Sequence, residues 1–515
     1  MLDVRSAMRR SAAFHRERVA VVSGARSFTY GQAWSRGLRM ANALLAQGLR
    51  PGDRVAVLEN NSVEAVDFLC GALAANLVRV PLYARNAPAA HLGMLRGTGC
   101  RAVVVSAELA DEITGIAAEV PGLRVIVRDE GYERWLHSYP DTDPNPDINL
   151  DDPMIIRHSA GTTGQPKGIA YTHRSWMATE RDWFYLLPPI SAGHRCLHVA
   201  PISHGSGYVF LPCWLAGGVN VLEPHFEAAT VLDLLANQEI GYLFAVPTMV
   251  ADLVSKAGSV GGRAGGFAAL RALVVSGAPI RPSTALAARA VFGDTLFQMY
   301  GQTEAVPVTF MGPREWFAEL PGSDPLRSAG RVMPFAELEV RDEHNRPLPV
   351  GQPGQIAIRT DGQMTSIWNE PELTARHLVD GWVLTGDIGR LDHNGYLYVL
   401  DRATDMIVSG GYNIWPAELE TVIAALPGVR ETAVFGIPDP RWGETPAAVV
   451  VIEPGAGLGE TEVIEACRAQ LGSYKKPGLV VIQRDQLPRS PVGKVLRKTL
   501  REPYWADREL RVSGS

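Results

Sequence analysis

The stretch Ser159–Gly168, with the sequence SAGTTGQPKG, follows closely on the apolar run Met154–Ile156. Three glycines, two threonines and one lysine in ten residues predict a loop dense in backbone N–H groups and hydroxyls, with one positive charge. Such a loop after a buried strand has the chemistry that a bound polyphosphate requires. It differs from the GxxxxGK[ST] phosphate loop, because Lys167 is followed by glycine and Pro166 removes one N–H donor. From composition alone, a solvent-exposed connection between strands is an equally good interpretation.

Short apolar runs alternate with stretches of helical spacing on both sides of this loop. The predicted strands are Arg54–Leu58, Val78–Leu82, Arg101–Val105, Leu123–Val127, Cys196–Ala200, Tyr242–Val246 and Ala272–Val275. Between the first two strands, Ser62–Asn76 has the apolar spacing of a helix. Strands that alternate with helices imply βαβ units and parallel sheets.

The sequence pattern changes towards the C-terminus. From Gln355 to Leu400, short strands alternate with Asp-Gly and Asn-Gly turns, which predicts a β-rich subdomain. The rest of the chain, after Asp401-Arg402, has an α+β pattern of its own. The predicted fold class is therefore α/β, with a large N-terminal domain of mixed α/β sheets that includes the β-rich subdomain. A small, mobile α+β domain follows it, and the predicted boundaries are 1–402 and 403–515.

Length and composition exclude several classes of protein. A chain of 515 residues exceeds what one hydrophobic core organises, so at least two domains are expected. A net charge of −6 gives no reason to expect a nucleic-acid partner. No apolar run reaches the roughly 18 residues that a membrane span needs, and no secretory signal is visible. The five cysteines show no metal-ligand spacing. We expect a cytoplasmic protein without a membrane span, and a homodimer is left open.

The glycine-rich loop resembles the phosphate loop of the adenylate-forming superfamily, which includes acyl- and aryl-CoA ligases, peptide-synthetase adenylation domains and firefly luciferase. The resemblance extends over about residues 20 to 500, because further segments match family motifs in family order. These segments are Pro201–Gly207, Ser276–Pro279, Tyr300–Glu304, Thr385–Asp387, Asp401-Arg402 with Ser409–Ile414, Pro416–Glu420 and Pro488–Lys494. Within the superfamily, the chain resembles the acyl- and aryl-CoA ligases most.

The resemblance implies a site for ATP and Mg²⁺. The implied ATP- and AMP-binding residues are Ser159, Gly161, Thr162, Thr163, Gly164, Lys167, Gly277, Ala278, Pro279, Tyr300, Gly301, Gln302, Thr303, Asp387 and Arg402. Tyr300 would stack on adenine, Asp387 would bind the ribose hydroxyls, and Arg402 would reach ribose or phosphate. Glu304, with Thr163, would bind Mg²⁺, a cation that prefers carboxylate and phosphate oxygens. Without the family pattern, Tyr300–Glu304 is an ordinary turn, Asp387 a strand-end cap and Arg402 half of a surface salt bridge.

Three residues are implied to be catalytic. Lys494 would bridge the substrate carboxylate and the α-phosphate while negative charge develops on phosphorus. Thr303 would donate to the α-phosphate. His204 would lie at the mouth of the acyl pocket, near the carboxylate. The alternatives are a solvated lysine and a buried, hydrogen-bonded histidine.

The acyl pocket is predicted around the segment that contains His204. Its other predicted residues are Gly205, Tyr208, Val209, Phe244, Met299 and Val306. Relatives that activate α-amino acids have an aspartate at the position of Gly205 to hold the ammonium group, so this chain is not expected to use a standard α-amino acid. The side chains favour an aryl or other compact apolar acid, although several of them would serve equally well as plain core.

The expected reaction has two steps. A small carboxylic acid and ATP give acyl-AMP, after which rotation of the small domain withdraws Lys494 and presents the thiol of coenzyme A. The implied CoA-binding residues are Ser409, Gly410, Gly411 and Tyr412. One alternative is transfer to the pantetheine of a separate carrier protein or to another nucleophile, and another is a non-catalytic nucleotide-binding homologue. Two departures bear on this expectation: Ala160 replaces the usual phosphate-loop serine, and Thr404 occupies the hinge position.

Overall fold

Strands and helices alternate from the start of the chain. This computed structural model describes residues 2–84, 86, 88–159, 166–203, 205–259, 267–402, 405–409, 412–440, 442–489 and 495–505. The strands are β1 (Val19–Ser23), β2 (Arg26–Thr29), β3 (Arg54–Leu58), β4 (Val78–Pro81), β5 (Ala102–Ser106), β6 (Arg124–Arg128), β7 (Pro153–Ser159), β8 (Lys167–Thr172), β9 (Arg195–His198), β10 (Val219–Leu222), β11 (Ile240–Ala245), β12 (Ala272–Val275), β13 (Leu296–Gln302), β14 (Ala305–Met311), β15 (Arg331–Val332), β16 (Ala336–Arg341), β17 (Gly354–Thr360), β18 (Ser366–Ile367), β19 (Leu378–Val379), β20 (Trp382–Leu391), β21 (Leu397–Arg402), β22 (Ile407–Ser409), β23 (Tyr412–Ile414), β24 (Val429–Asp439), β25 (Gly443–Ile452) and β26 (Leu479–Gln483).

The helices fall between these strands and at both ends of the described chain. They are α1 (Val4–Phe14), α2 (Tyr30–Ala46), α3 (Ala65–Ala74), α4 (Pro88–Thr98), α5 (Ala110–Ala117), α6 (Tyr132–His137), α7 (His173–Leu186), α8 (Gly207–Leu215), α9 (Ala228–Asn237), α10 (Pro247–Ser259), α11 (Pro282–Phe292), α12 (Pro313–Trp316), α13 (Pro371–His377), α14 (Pro416–Ala424), α15 (Glu460–Leu471) and α16 (Arg497–Trp505). No helix in the described ranges combines the length and the apolar character that a membrane crossing requires.

A seven-stranded sheet has the order β18-β8-β7-β4-β3-β5-β6. Its central strands run parallel, and β7 and β8 form an antiparallel pair at the point where the glycine-rich loop separates them. The four strands predicted before residue 130 are confirmed, each with its bounds within one residue. The last residue of β7 is Ser159, so this sheet presents the start of the loop at the carboxyl end of a strand.

A nine-stranded sheet has the order β15-β14-β13-β12-β11-β9-β10-β1-β2. Strands β9 to β13 run parallel, and the three strands predicted here are confirmed. The motif segments after β9 and β12 and at the end of β13 therefore all lie at the carboxyl ends of parallel strands. Ligands of open α/β sheets bind at these ends. One hydrophobic core contains buried side chains from both sheets and from α2, α3, α7 and α8.

The C-terminal third contains the predicted β-rich portion and a small α+β sheet. Strands β17 to β21 confirm the β-rich prediction, and β19 and β20 form a hairpin whose turn is Asp380-Gly381. Both turn residues have positive φ, at 50° and 79°, as a two-residue turn between strands requires. The small sheet has the order β23-β22-β25-β24 with β26 beside β25, and its own core includes residues of α14 and α15.

The chain forms two compact units. The first comprises Met1–Leu338, Ile358–Leu384 and Asn394–Leu397, and the second comprises Glu339–Ala357, Thr385–His393 and Tyr398–Ser515. The predicted fold class, a mixed α/β chain with a large N-terminal and a small C-terminal domain, is confirmed. The functional boundary at residue 402 stays a prediction.

Candidate functional site

The carboxyl ends of the parallel strands supply the residues of the site. Ser276–Pro279 follows β12, and Gly277 there has φ of +90°, a conformation that only glycine adopts without strain. Tyr300, Gly301 and Gln302 are the last residues of β13. A Cβ at position 301 would lie 2.9 Å from Cγ2 of Val306, so a glycine is needed for the chain to turn back closely into β14.

Glu304 lies in the turn between β13 and β14. The hydroxyl of Ser159 donates to its Oε1 at 3.0 Å, and the backbone N–H of Met364 donates to its carbonyl at 2.8 Å. The phenolic O–H of Tyr171 donates to the carbonyl of Thr303, also at 2.8 Å. These contacts hold the predicted metal ligand beside the residue that begins the glycine-rich loop, although the two are 145 positions apart in sequence.

A lysine and a histidine contact each other where the chain leaves the glycine-rich loop. Nζ of Lys167, at the start of β8, is 3.2 Å from Nε2 of His377, the last residue of α13. Burial, and then the positive charge of Lys167, lower the pKa of His377, so the ring is neutral and accepts a hydrogen bond from the ammonium. The negative charge of Glu304 acts on the same ring in the opposite direction. Sequence reasoning missed His377, because no motif or spacing marks it.

These side chains suit a nucleoside triphosphate with one divalent cation. Lys167 supplies a positive charge, Ser159 a hydroxyl and Glu304 a carboxylate. Mg²⁺ in nucleotide sites is commonly bound by one or two carboxylates together with phosphate oxygens and water, so a single carboxylate fits it. Among the described residues, no cluster of three or more His, Cys, Asp or Glu side chains forms a metal site made by the protein alone.

Asp387 lies in the second compact unit. Its side chain is buried, and its backbone N–H donates to Oγ1 of Thr385 at 3.0 Å, while that hydroxyl donates to the carbonyl of Ile356 at 2.7 Å. Arg402 ends β21, and Ser409 pairs with Tyr412 across β22 and β23. The assignments of Asp387, Arg402, Ser409 and Tyr412 to ribose, phosphate and CoA stay predictions.

The predicted acyl-pocket residues lie in one buried cluster. The Tyr208 ring stacks on Trp176 (5.7 Å between centroids, 18° between planes) and on Trp183 (5.6 Å, 15°). Phe244 meets Trp183 at 6.4 Å, and a Cβ at position 205 would lie 2.9 Å from Cε1 of Phe244, so Gly205 lets its loop contact the ring. The remaining described members of the cluster, each at most 5 % exposed, are Val209, Met299 and Val306. Their role in binding an acyl group stays a prediction.

Helix α7 supplies the two tryptophans, which sequence reasoning missed. The helix begins after Thr172, whose hydroxyl accepts from the N–H of Ser175 and so caps the first turn. Trp176 and Trp183 are seven positions apart, two helical turns, and therefore face the same side. This spacing was the available signal, but it is also the spacing of an ordinary core helix.

The segment before position 204 is held by a buried asparagine. Nδ2 of Asn61 lies 3.1, 2.9 and 3.1 Å from the carbonyl oxygens of His198, Ala200 and Glu223. Its Oδ1 accepts from the N–H of Ile202 at 2.9 Å. Asn61 therefore connects the loop after β3 in one sheet to the ends of β9 and β10 in the other.

A second buried group holds the far side of the same segment. The ring of His198 lies 2.8 Å from Oδ1 of Asn220 through Nε2 and 2.9 Å from Oγ of Ser206 through Nδ1. Burial lowers the pKa of His198 to about 4, so the ring is neutral. Because Oδ1 of Asn220 can only accept, Nε2 carries the proton and Nδ1 accepts from the Ser206 hydroxyl.

Several predicted residues lie outside the described ranges. They are Gly161, Thr162, Thr163, Gly164, His204, Gly410, Gly411 and Lys494, and so are the departures at Ala160 and Thr404.

Comparison with known proteins adds to this geometry. Residues 8–368 match the family described as "AMP-binding enzyme", and residues 418–494 match the "AMP-binding enzyme C-terminal domain". The fatty acid–[acyl-carrier-protein] ligase ScoC of Streptomyces coeruleorubidus is 33% identical over 503 residues, which are 96% of this chain and 95% of that one. A feruloyl-CoA synthase of an Amycolatopsis species is 33% identical over 497 residues, which are 94% and 96% of the two chains. The crystal structure of ATP-bound MatB from Rhodopseudomonas palustris superposes with a TM-score of 0.88 at 28% identity, covering 98% of this chain and 99% of that one.

Proposed function

The chain belongs to the AMP-binding enzyme family and is an AMP-forming acid–thiol ligase, and from this premise we propose that its acid is compact and aryl-like and its acceptor is coenzyme A. In the first half-reaction, an oxygen of the acid attacks the α-phosphorus of ATP, pyrophosphate leaves and acyl-AMP forms. In the second, the thiol attacks the acyl carbon, and AMP leaves with the electrons of the broken anhydride bond.

The observation that carries the acid assignment is the aromatic enclosure around Tyr208. Its ring stacks at 15° and 18° on two tryptophans, and Phe244 packs edge-on against one of these, Trp183. Aromatic rings pair best with other flat groups in offset or edge-on arrangements. The feruloyl-CoA synthase is, by its name, an enzyme for a flat aryl acid, which supports the same interpretation.

In the first half-reaction, Lys167 and Ser159 would bind the polyphosphate and Glu304 would hold Mg²⁺. When bound, this ion neutralises charge on the phosphates. By resemblance, Lys494 would stabilise the negative charge that develops at the α-phosphorus. A compact ammonium suits this position better than the planar guanidinium of arginine. Asn61 and His198 would act indirectly, by fixing the loop that leads to His204.

A second candidate acceptor is the pantetheine of a carrier protein. ScoC, which aligns over nearly the whole chain, is by its name an acyl-carrier-protein ligase. Pantetheine is common to CoA and carrier proteins, so Ser409–Tyr412 would serve either acceptor.

The test measures pyrophosphate release with benzoate, cinnamate, hexanoate and palmitate, and then AMP release with and without millimolar CoA. We expect the aryl acids to give the highest kcat/KM and CoA to accelerate AMP release. A clear preference for palmitate would contradict the compact acid. If AMP release is no faster with CoA, the acceptor is a carrier protein or another nucleophile and not CoA.

A further inference from the structure

A glutamate lies on the same face of α7 as the two tryptophans. Trp176, Glu180 and Trp183 occupy positions i, i+4 and i+7, which share one side of a helix. Since both tryptophan rings stack on Tyr208, this side of α7 faces the predicted acyl pocket. Glu180 is only 1 % exposed.

The carboxyl group of Glu180 has no hydrogen-bond partner among the residues that the structure describes. Neither Oε1 nor Oε2 reaches a donor or acceptor in the described part of the chain. The indole of Trp176, one turn earlier, is near enough to offset part of the effect of burial on the glutamate, but it does not reach hydrogen-bonding geometry. Burial dominates and raises the pKa of Glu180 well above its ordinary value. Burial therefore disfavours the charged form of this carboxyl group.

A carboxyl group in this state destabilises the protein that contains it. Buried polar groups are normally hydrogen-bonded, and an apolar side chain of similar size would pack here without the cost of desolvation. Two other buried polar side chains near this site have their partners within the protein: Asn61 contacts four backbone groups, and both ring nitrogens of His198 have partners. Glu180 differs from them, and a ligand that enters the pocket would supply the missing partner.

We propose that Glu180 binds a hydroxyl or amino group on the acyl part of the acid substrate. This inference rests on the proposed function, because it assigns the substrate of the same site. A carboxyl oxygen of Glu180 can accept a hydrogen bond from such a group in either protonation state, and the flanking indoles suit an aryl ring that carries it. At position 205, where relatives for α-amino acids have an acidic side chain, this chain has glycine. The recognising carboxyl is thus on the helix instead of the loop, which favours a substituent remote from the reacting carboxylate.

The experiment compares matched acids that differ in one group. Benzoate and cinnamate are each tested unsubstituted and with a hydroxyl, amino or methoxy group at ring positions 2, 3 and 4. The kcat/KM for pyrophosphate release is measured for wild type, Glu180→Gln, Glu180→Leu and Asp182→Asn. Asp182 is the matched control, because it is also a buried carboxylate on α7 but pairs with Arg181 and faces another side.

We expect wild type to prefer at least one hydroxy- or amino-substituted acid over its methoxy and unsubstituted counterparts by roughly 10-fold or more, since neither counterpart offers a hydrogen-bond donor to Glu180. Glu180→Leu should abolish this preference while still accepting the unsubstituted acid. Glu180→Gln should keep part of it, and Asp182→Asn should keep all of it. The melting temperature of Glu180→Leu should equal or exceed that of wild type, whereas a structural glutamate would lower it on removal.

The outcomes separate this inference from the proposed function. Turnover of aryl acids without any preference for a donor, or an unchanged preference in Glu180→Leu, overturns the role of Glu180 alone. A wild-type enzyme that releases pyrophosphate with none of the aryl acids overturns the aryl assignment, and the inference with it. A large fall in the melting temperature of Glu180→Leu assigns the residue to the fold.

Discussion

Replacing Asn61 tests whether the loop before His204 depends on one side chain for its position. Asn61→Ala removes the acceptor of the Ile202 N–H and the donor of two to three hydrogen bonds to carbonyl oxygens. The amide NH₂ has two hydrogens, each of which donates one bond, and Oδ1 accepts one more, so the substitution removes three hydrogen bonds. At about 0.5–1.5 kcal/mol for each bond, the loss is about 1.5–4.5 kcal/mol of unfolding free energy. The upper half is expected, because Asn61 is buried and the groups it leaves cannot all reach water.

Asn61→Asp sharpens the same test, because it keeps the shape and changes one atom. The new oxygen would face three carbonyl oxygens, so the folded protein would favour the protonated acid and raise its pKa above the ordinary value near 4. A group whose pKa is raised by folding stabilises the fold at low pH and loses that effect as pH rises. The stability of Asn61→Asp should therefore fall, relative to wild type, from about pH 4 upwards.

Urea unfolding at several pH values gives the stability, and pyrophosphate release against acid concentration gives the KM. Asn42 is a matched control, since its Nδ2 also lies within 2.9 Å of three carbonyl oxygens but on a half-exposed helix surface. Asn42→Ala should cost less than about 1 kcal/mol and leave the KM unchanged, whereas Asn61→Ala should raise the KM for the acid. Equal stability losses at the two sites, with normal KM in both, would refute the argument.

Three further substitutions test the predicted catalytic parts. Lys494→Ala should lose adenylation by roughly 10²-fold or more and still convert supplied acyl-AMP to thioester; equal losses in both half-reactions would contradict its assigned role. Glu304→Gln should lower activity and shift the Mg²⁺ titration to higher concentration, because the charge of the ligand is gone; an unchanged titration would place the metal elsewhere. Gly411→Leu should block thioester formation and keep pyrophosphate exchange, since a bulky side chain would fill the passage expected for pantetheine; intact thioester formation would move that passage.

The parallel strands were predictable because a buried strand is itself a short run of apolar residues in the sequence. Strands buried on both faces are nearly continuous apolar runs, as in Ala102–Ser106, where every residue is buried. The Asp380-Gly381 turn was predictable for a similar reason, since only a few residues adopt two consecutive positive φ values. In each case the physical cause lies within a few residues of its effect.

The supporting residues of the site were not predictable in this way. Asn61 stands in a short polar stretch that is typical of any turn, and its partners lie 137 to 162 positions away. His377 has no motif around it, yet its ring is 3.2 Å from the ammonium of Lys167. Asn61 meets its partners where two sheets pack together, and His377 meets Lys167 because β18, just before α13, pairs with β8. Neither long-range contact leaves a pattern in the local sequence.

Two kinds of buried polar residue occur at this site, and they differ in whether the protein supplies their hydrogen-bond partners. Asn61 and His198 have their polar atoms matched by the protein, so their removal should harm stability first and activity through it. Glu180 has a buried carboxyl group without a partner among the described residues, so its removal should spare or improve stability while it changes which acid is used. A residue that lowers stability in the free enzyme and recovers the cost only with substrate contributes to specificity, because an acid without the matching group leaves that cost uncompensated. Measuring stability and substrate preference in the same variants therefore distinguishes positioning residues from a binding residue.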